Sequence, residues 1–236
     1  MEKPLYIDIS EKILATIEKS EYTENSMLPS ERILSENYHV SRSTIRHALN
    51  HLKDNGYIYT VQGKGTFLKP IVYEQNLFKL YSFTDELRSN NIYVTNIIIG
   101  YELVSINDTL ANKLNRKPNE LFHKIIRLRT ADSCPIMIET TYLPQNRFYH
   151  IEIGKIETDS LYTYLVKKYD LQLDRATEIF RPVLPRTWQC ELLKISSKDP
   201  CTMLERFSYE NDLLIQYTIS MIRGDKYVFK ADLSNK

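Results

Sequence analysis

Two amphipathic helical patterns lie so close together in residues 28–58 that only a short turn can join them. The first begins at Ser30, whose side chain can cap a helix start, and the second begins in the same way at Ser41. Apolar residues of the second pattern recur at i, i+3, i+4 and i+7, and they are Ile45, Ala48, Leu49 and Leu52. Gly56 then allows a left-handed helix end. The sequence therefore predicts two helices joined by the turn "YHVS".

The flanking segments complete a small domain around this helix pair. In residues 6–19, one helical face carries Ile9, Ile13, Leu14 and Ile17. After the third helix, "YIYTVQ", "GKG" and "TFL" have the pattern of a strand, a tight turn and a second strand. We expect a winged helix-turn-helix domain, three helices plus a β-hairpin, over residues 1–70. A linker without amphipathic pattern is expected over 71–77, and a second domain over 78–236.

Composition limits the class of protein. Apolar residues make up 42% of the chain, which supports a real core, and no run approaches a membrane span or a signal peptide. The three cysteines form no CxxC pair, so we expect reduced packing residues in a soluble, cytoplasmic protein. The net charge of +1 hides a segregation. Residues 1–40 hold four cations against eight acids, whereas residues 41–70 hold five cations against one acid.

The outer face of the predicted third helix has chemistry suited to DNA. Opposite its apolar residues, the helix start presents Arg42, Ser43, Arg46 and His47. An arginine can grip a guanine edge or a phosphate, and a hydroxyl can bind either. The alternative is a solvated polar face, but the helix spacing, the local positive charge and the glycine-flanked Lys64 favour DNA. His47 and His51 have the i, i+4 spacing of some zinc sites, yet no third ligand is evident, so no metal is expected.

The remainder of the chain has an α+β pattern with antiparallel hairpins. Strands are predicted over 93–104, 121–131, 135–143, 175–184, 201–210 and 213–221. Helices are predicted over 84–89, 108–114, 160–169 and 187–194. The turns "DSCP" and "ND", at Asn211 and Asp212, join neighbouring strands.

Two arginines of this domain form a candidate anion site. Arg127 and Arg129 are two residues apart in a predicted strand, hence on one face, where they can clamp a phosphate or a carboxylate, or simply be solvated. The helix starts near Thr84 and Ser160 can add amide groups, although capping alone also explains them. The sequence shows no nucleophile beside a base and no nucleotide-binding glycine loop. We therefore expect no catalytic residues and no cofactor.

The first 70 residues resemble the winged helix-turn-helix domain of the GntR family of bacterial transcription regulators. The matching motifs, in the family's order, are "PLY", "LPSER", "VSRSTIRHAL", "NGYI" and "GKGTF". The resemblance implies contacts to double-stranded operator DNA. Those contacts would come from Arg32, Ser41, Arg42, Ser43, Thr44, Arg46, Gln62, Gly63 and Lys64.

The segment from Leu77 resembles the UTRA effector domain of the HutC subfamily, through "SFTDEL", "IIRLRTADSCPIMIETTYLP", "SLYTYL" and "QYTISMIRGDKYVF". The resemblance implies a fold similar to chorismate lyase and a small effector, frequently a phosphorylated sugar. The implied effector residues are Phe83, Thr84, Arg127, Arg129, Glu139, Ser160, Tyr162 and Tyr217, with Tyr227 as the alternative to Tyr217. Arg127, Arg129 and Ser160 would hold the phosphate, while Glu139 and the tyrosines would meet hydroxyls.

Both resemblances imply a ligand-responsive transcription regulator, most often a repressor, that binds its operator as a homodimer. Some relatives respond to urocanate or other small acids, so the effector can instead be a non-phosphorylated acid. Two other classes stay open at this point. One is an enzyme of chorismate-lyase-like fold, and the other is an architectural DNA-binding protein without an effector.

Overall fold

The computed structural model describes residues 4–19, 26–69, 72–77, 83–89, 92–158 and 160–233. Contacts divide the chain into two units, Met1–Val72 and Tyr73–Lys236. In the described part, no helix is both long enough and apolar enough to cross a membrane.

The N-terminal unit contains the three helices and the hairpin that the sequence predicts. The elements are α1 (Leu5–Lys19), α2 (Glu31–Tyr38), α3 (Arg42–Asp54), β1 (Ile58–Val61) and β2 (Gly65–Leu68). One apolar core joins them, and its innermost members include Ile13, Ile45, Ala48 and Leu52. The apolar face of α3 is therefore buried, and its opposite face is left to solvent.

Local chemistry fixes the turn between α2 and α3. The Ser30 side chain accepts a hydrogen bond from the Ile33 amide, and Ser41 accepts one from the Thr44 amide at 3.1 Å. His39 ends α2 in the left-handed conformation, with φ of 53°, a conformation usually taken by glycine or asparagine. Ser35 Oγ donates to the Val40 carbonyl at 2.6 Å and closes the turn. These bonds set the angle at which α3 leaves α2.

The C-terminal unit is built on a six-stranded antiparallel sheet with strand order β4-β5-β6-β9-β8-β7. The strands are β4 (Val94–Ser105), β5 (Leu121–Ala131), β6 (Cys134–Pro144), β7 (Arg175–Val183), β8 (Cys201–Glu210) and β9 (Leu213–Arg223). The helices are α4 (Phe83–Ser89), α5 (Asp108–Leu114), α6 (Ile153–Thr158), α7 (Leu161–Tyr169) and α8 (Thr187–Leu193). Each strand and helix that the sequence predicts here is present, within two residues at either end.

In two of the hairpins, the turn residues adopt the left-handed backbone conformation that Asp and Asn favour. Asp132 and Ser133 join β5 to β6 with φ of 46° and 65°. Asn211 and Asp212 join β8 to β9 with φ of 48° and 60°. Two consecutive positive φ angles match the right-handed twist of antiparallel strands, which explains these tight connections.

The expected linker over 71–77 needs correction. Tyr73–Asn76 forms a strand, β3, which pairs in parallel with β10 (Tyr227–Lys230) in the C-terminal unit; Ile71 lies outside the described residues. Tyr73 and Gln75 are buried, and the residues between and after them are exposed. The pattern is hard to recognise because one buried position is a glutamine, bonded to the Tyr227 hydroxyl, and the partner strand lies some 150 residues away.

Candidate functional site

The surface that the sequence predicts for DNA is exposed in the N-terminal unit. Ser41, Arg42, Ser43 and Arg46 at the start of α3 are solvent-accessible, and Thr44 is half-buried. Ser41 is also the helix cap, and its hydroxyl lies 2.7 Å from that of Ser43. The amino-terminal end of α3 thus presents cations and hydroxyls together, as a helix that enters a major groove requires.

Two of the arginines are held in ion pairs with neighbouring carboxylates. Arg46 Nη2 lies 3.2 Å from Glu31 Oε2, and this bond raises the pKa of Arg46. Arg32 Nη1 lies 2.9 Å from Glu36 Oε1, one helical turn away. All four side chains are well exposed, and exposed pairs contribute little to stability. A phosphate or a guanine can therefore displace either carboxylate at small cost.

The wing of the domain is the hairpin of β1 and β2, and its turn exposes Lys64. Gln62, Gly63 and Lys64 are exposed at the tip, and Gly63 has φ of 75°. Gly65 has φ of 132°, and a Cβ atom there would lie 3.1 Å from Met27 Sδ. Both glycines are therefore needed for the turn that carries Lys64.

Both histidines of α3 contact α1. The rings of His47 and His51 lie 6.1 and 5.9 Å from the ring of Tyr6 in α1. His51 Nδ1 also lies 3.2 Å from Ser10 Oγ. His47 is nevertheless exposed beside Arg46, so its place on the polar face of α3 stays a prediction.

A pocket in the C-terminal unit gathers most of the predicted effector residues. The strand register sets Arg127 opposite Glu139, Glu139 opposite Ser220, and Ser220 opposite Leu204, so these side chains share one face of the sheet. The lining residues are Phe83, Arg127, Arg129, Met137, Glu139, Leu161, Tyr162, Leu173, Leu204, Arg206, Ser208, Gln216, Thr218, Ser220, Ile222, Tyr227 and Phe229.

Glu139 bridges the two arginines at the floor of this pocket. Its carboxylate accepts from Arg127 Nη2, from Arg129 Nη1 at 2.9 Å and from Thr141 Oγ1 at 3.2 Å. Arg129 also donates to Thr84 Oγ1, and its guanidinium lies 4.3 Å from the centre of the Phe83 ring. Thr84 and Phe83 therefore position Arg129, through a hydrogen bond and a cation–π contact.

The charges of this cluster are strongly coupled. Burial opposes ionisation of Glu139, but the two guanidinium charges and their hydrogen bonds prevail and lower the pKa of its carboxyl to about 2. Burial lowers the pKa of Arg129 to about 10, against the effect of Glu139, so Arg129 stays protonated at neutral pH. Two positive charges against one negative charge leave a net positive charge on the pocket floor.

Three donors of the arginines are buried without a hydrogen-bond partner among the described residues. They are Nε and Nη1 of Arg127 and Nε of Arg129. An unsatisfied buried donor is unfavourable, and far more so when it belongs to a charged group. The arrangement therefore suits an anion with several oxygen atoms.

Ser160 and Tyr162 both belong to the start of α7. Ser160 is buried, accepts from the Thr163 amide at 3.0 Å and lies 3.2 Å from Asp85 Oδ2. It is the cap of α7 and is not among the lining residues, whereas its neighbours Leu161 and Tyr162 are. The Ser160 hydroxyl thus stabilises the start of the helix whose next two residues line the pocket.

The assignment of Tyr217 to the pocket is wrong. Tyr217 is buried on the opposite face of the sheet, where its hydroxyl donates to Glu205. Alternate residues of a strand face opposite sides, and the pocket side of β9 is Gln216, Thr218, Ser220 and Ile222. Tyr227, the alternative, lies in the pocket wall 5.5 Å from the Phe83 ring.

Sequence reasoning missed the polar residues that β8 and β9 contribute. They are Arg206, Ser208, Gln216, Thr218 and Ser220. For the three residues of β9, the alternation in "LIQYTISMI" could have indicated one polar face, since Gln216, Thr218 and Ser220 alternate there with apolar or aromatic residues.

Comparison with known proteins agrees with these features. Residues 5–68 match the family described as bacterial regulatory proteins, gntR family, and residues 89–228 match the UTRA domain. The HTH-type transcriptional repressor NagR of Bacillus subtilis (strain 168) is 30% identical over 227 residues, which cover 96% of this chain and 93% of that protein. The mannosyl-D-glycerate transport/metabolism system repressor MngR of Escherichia coli (strain K12) is 26% identical over 230 residues, with coverage of 96% and 95%.

A solved structure shows the same fold over almost the whole chain. PhnF from Mycobacterium smegmatis aligns with a TM-score of 0.69 at 23% identity, covering 97% of this chain and 100% of that one. The named relatives are transcriptional repressors and not enzymes. The chain therefore belongs to the gntR family, in its HutC subfamily, as a DNA-binding transcription regulator that carries a UTRA effector-binding domain.

Proposed function

We propose that this regulator is a repressor whose operator binding is controlled by a small anionic effector, with a phosphorylated sugar favoured. The observation that supports it most is the set of buried, unpartnered donors on Arg127 and Arg129 at the pocket floor. Glu139 neutralises only one of the two guanidinium charges. An anion on these donors would satisfy them and balance the remaining charge.

A phosphate suits this floor better than a carboxylate does. Phosphate offers three oxygens to the free donors and carries more charge, and planar guanidinium groups bind it through paired hydrogen bonds. A sugar carboxylate is the alternative, because mannosyl-D-glycerate, for which the Escherichia coli relative is named, is a sugar that bears one. The floor residues in this proposal are Arg127 and Arg129, positioned by Phe83, Thr84 and Glu139. Tyr162 contributes from α7, and Ser160 acts through the helix cap.

On the DNA side, the start of α3 would read the major groove while the wing contacts the adjacent backbone. Arg42, Arg46 and the hydroxyls of residues 41, 43 and 44 supply the helix contacts. Lys64 and its neighbours supply those of the wing, and Arg32 contacts phosphate. A homodimer would place one α3 helix on each half of a palindromic operator.

Operator selection followed by titration tests this proposal. A tight-binding duplex is selected from random-sequence DNA with the purified protein, and its affinity is measured with and without hexose 6-phosphates, free hexoses and small organic acids. We expect one class of anionic compound to change operator affinity at least tenfold and free hexoses to have no effect. Arg129→Gln should abolish the response and keep operator binding, whereas the exposed control Arg175→Ala should keep both.

An effector response that persists in Arg129→Gln would contradict the anion site. Operator binding that no anionic compound changes, in a protein that still binds these compounds, would contradict control by the pocket. A response to the free hexoses equal to that of their phosphates would show that the anion is not what the pocket recognises.

A further inference from the structure

The effector pocket continues beyond its arginine floor along β8 and β9. Arg206 and Ser208 of β8, with Gln216 and Thr218 of β9, line this extension. We infer that Ser208 and its neighbours form a second recognition point, which binds a neutral hydroxyl or amide group at the end of the effector opposite its anion. The inference rests on the proposed function, since it concerns the same pocket.

Ser208 is the central observation. Its side chain is fully buried, and its Oγ has no hydrogen-bond partner among the described residues although it lines the pocket. A buried hydroxyl without a partner is unfavourable, so a site of this kind is either hydrated or built for a ligand group. A hydroxyl is both donor and acceptor, and it therefore accommodates either a sugar hydroxyl or an amide.

The charges around Ser208 cancel, in contrast to the floor. Arg206 donates through Nε to Glu178 Oε1 at 2.6 Å, and its Nη2 lies 2.5 Å from the same oxygen. Gln216 Nε2 donates to Thr218 Oγ1 at 3.0 Å, so the remaining polar groups are neutral. This end of the pocket thus offers hydrogen bonds without a net charge. A negatively charged ligand group should therefore bind at this end no more tightly than a neutral group.

The strand register gives the separation of the two ends. Ser220 lies opposite Glu139, and Gln216 lies opposite Ser208. Four residues of β9 separate those two positions, about 13 Å along the strand, and Glu139 and Ser208 also lie two strands apart, about 10 Å across the sheet. Several carbon atoms must therefore separate the anion of an effector from the group that meets Ser208. Inorganic phosphate and three-carbon phosphates are too short to reach both ends.

Ligand truncation combined with one substitution tests the inference. Isothermal titration measures the binding of inorganic phosphate, glycerol 3-phosphate, 6-phosphogluconate and the 6-phosphates of glucose, fructose and N-acetylglucosamine. The proteins are the unmodified chain, Ser208→Ala and Thr140→Ala. The last is the matched control, because Thr140 is a half-buried residue of β6 whose position in the alternation places it on the other face of the sheet.

We expect the best hexose phosphate to bind the unmodified chain at least tenfold more tightly than glycerol 3-phosphate. Ser208→Ala should weaken that hexose phosphate about five- to tenfold, the loss of one hydrogen bond, and leave glycerol 3-phosphate unchanged. Thr140→Ala should change neither. 6-Phosphogluconate, with a carboxylate at its far end, should bind no more tightly than the best hexose phosphate. The unliganded Ser208→Ala protein should unfold at the same temperature or higher, because the substitution removes an unpartnered hydroxyl.

Equal weakening of short and long ligands by Ser208→Ala, or no weakening of either, would overturn the inference and leave the anion site standing. The inference would also be overturned if hexose phosphates bound no more tightly than glycerol 3-phosphate, or if 6-phosphogluconate bound more tightly than the best hexose phosphate. If inorganic phosphate and all the phosphate esters fail to bind, the phosphorylated-sugar form of the proposed function fails and the inference with it.

Discussion

Glu139 is a built-in counter-ion for the two arginines of the pocket. Buried arginines without a carboxylate would be strongly unfavourable, and a carboxylate without arginines would be equally so. The sequence indicated that Arg127 and Arg129 share a face, and the family resemblance placed Glu139 in the same pocket, with hydroxyls of the ligand as its expected partners. It could not show that the bridge leaves three guanidinium donors without a partner, because that depends on side-chain geometry. The Tyr217 error is of a different kind, since strand alternation alone separates Tyr217 from the pocket.

The depressed pKa of Glu139 predicts an acid-sensitive pocket. In the folded protein this carboxyl ionises at about 2, whereas an unfolded glutamate ionises at about 4.3. Its stabilising contribution is therefore fully present above about pH 4.3 and is lost as pH falls through the folded value. Glu139→Gln should lack this pH-dependent stabilisation. At pH 7 its free energy of unfolding should be lower by about 3 kcal/mol or more, since two buried cations lose their partner.

Urea unfolding of both proteins between pH 7 and pH 2.5 measures this effect. The difference in stability between the unmodified chain and Glu139→Gln should shrink as pH falls below about 4.3. Other carboxylates titrate in the same range but are common to both proteins and cancel in the difference. A difference that stays constant across this range would show that Glu139 is not held ionised by its neighbours.

Arg46 provides a test at the DNA surface. Arg46→Ala should weaken operator binding by about 1 to 3 kcal/mol and should weaken binding to a scrambled duplex much less, because a base-reading arginine contributes to specificity. Lys12→Ala, an exposed cation of α1 paired with Asp8, is the control. Fluorescence anisotropy with both duplexes measures the two affinities. An equal loss on operator and scrambled DNA would make Arg46 a phosphate contact.

The helices and strands of this protein differ in how well local sequence patterns predict them. The long strands of the sheet and the helices of the first unit have clear periodicity and capping residues, and their limits follow from those signals. Strands β3 and β10 are only four residues each and pair in parallel across most of the domain, so no local signal joins them. Helix α6 is six residues long and includes Gly154, a poor helix former, which explains why it was not predicted.

Ser160 caps the start of α7 in the structure, whereas the family resemblance makes it a phosphate contact. Because Ser160 Oγ accepts from the Thr163 amide, Ser160→Ala should lower stability by about 0.5 to 2 kcal/mol. Phosphate affinity should change much less than it does in Arg129→Gln. Chemical unfolding and isothermal titration measure the two quantities. Unchanged stability with lost phosphate binding would instead make Ser160 a direct contact.

At the scale of the whole molecule, the pocket of the C-terminal unit has a hydrogen bond to the segment that follows the N-terminal unit. Tyr227 lines the pocket, and its hydroxyl donates to Gln75 Oε1 at 2.6 Å. Gln75 belongs to β3, the first strand after the N-terminal unit. A residue of the pocket wall is therefore hydrogen-bonded to the segment that directly follows the N-terminal unit. The sequence alone predicted two domains but not this connection, because it expected a linker at the same residues.

Control of DNA binding by an effector must be reciprocal. If the effector weakens operator affinity by some factor, operator DNA must weaken effector affinity by the same factor, because both describe one coupling free energy. Titrating DNA at saturating effector and titrating effector at saturating DNA measure that factor independently. Two factors that differ beyond experimental error would mean that the effector acts outside a single equilibrium, for example by dissociating the protein into subunits.

Thermal unfolding of the purified protein against sugar phosphates, their unphosphorylated sugars and small organic acids tests the anion pocket most directly. Arg127→Gln is studied in parallel, with Arg175→Ala as control. A ligand at 100 times its dissociation constant should add about 2.7 kcal/mol to the stability of the domain it binds. We predict that one class of phosphate compound stabilises the unmodified chain and the control but not Arg127→Gln. Stabilisation by an unphosphorylated, uncharged sugar, or equal stabilisation of Arg127→Gln, would contradict the assignment of these arginines to an anionic effector.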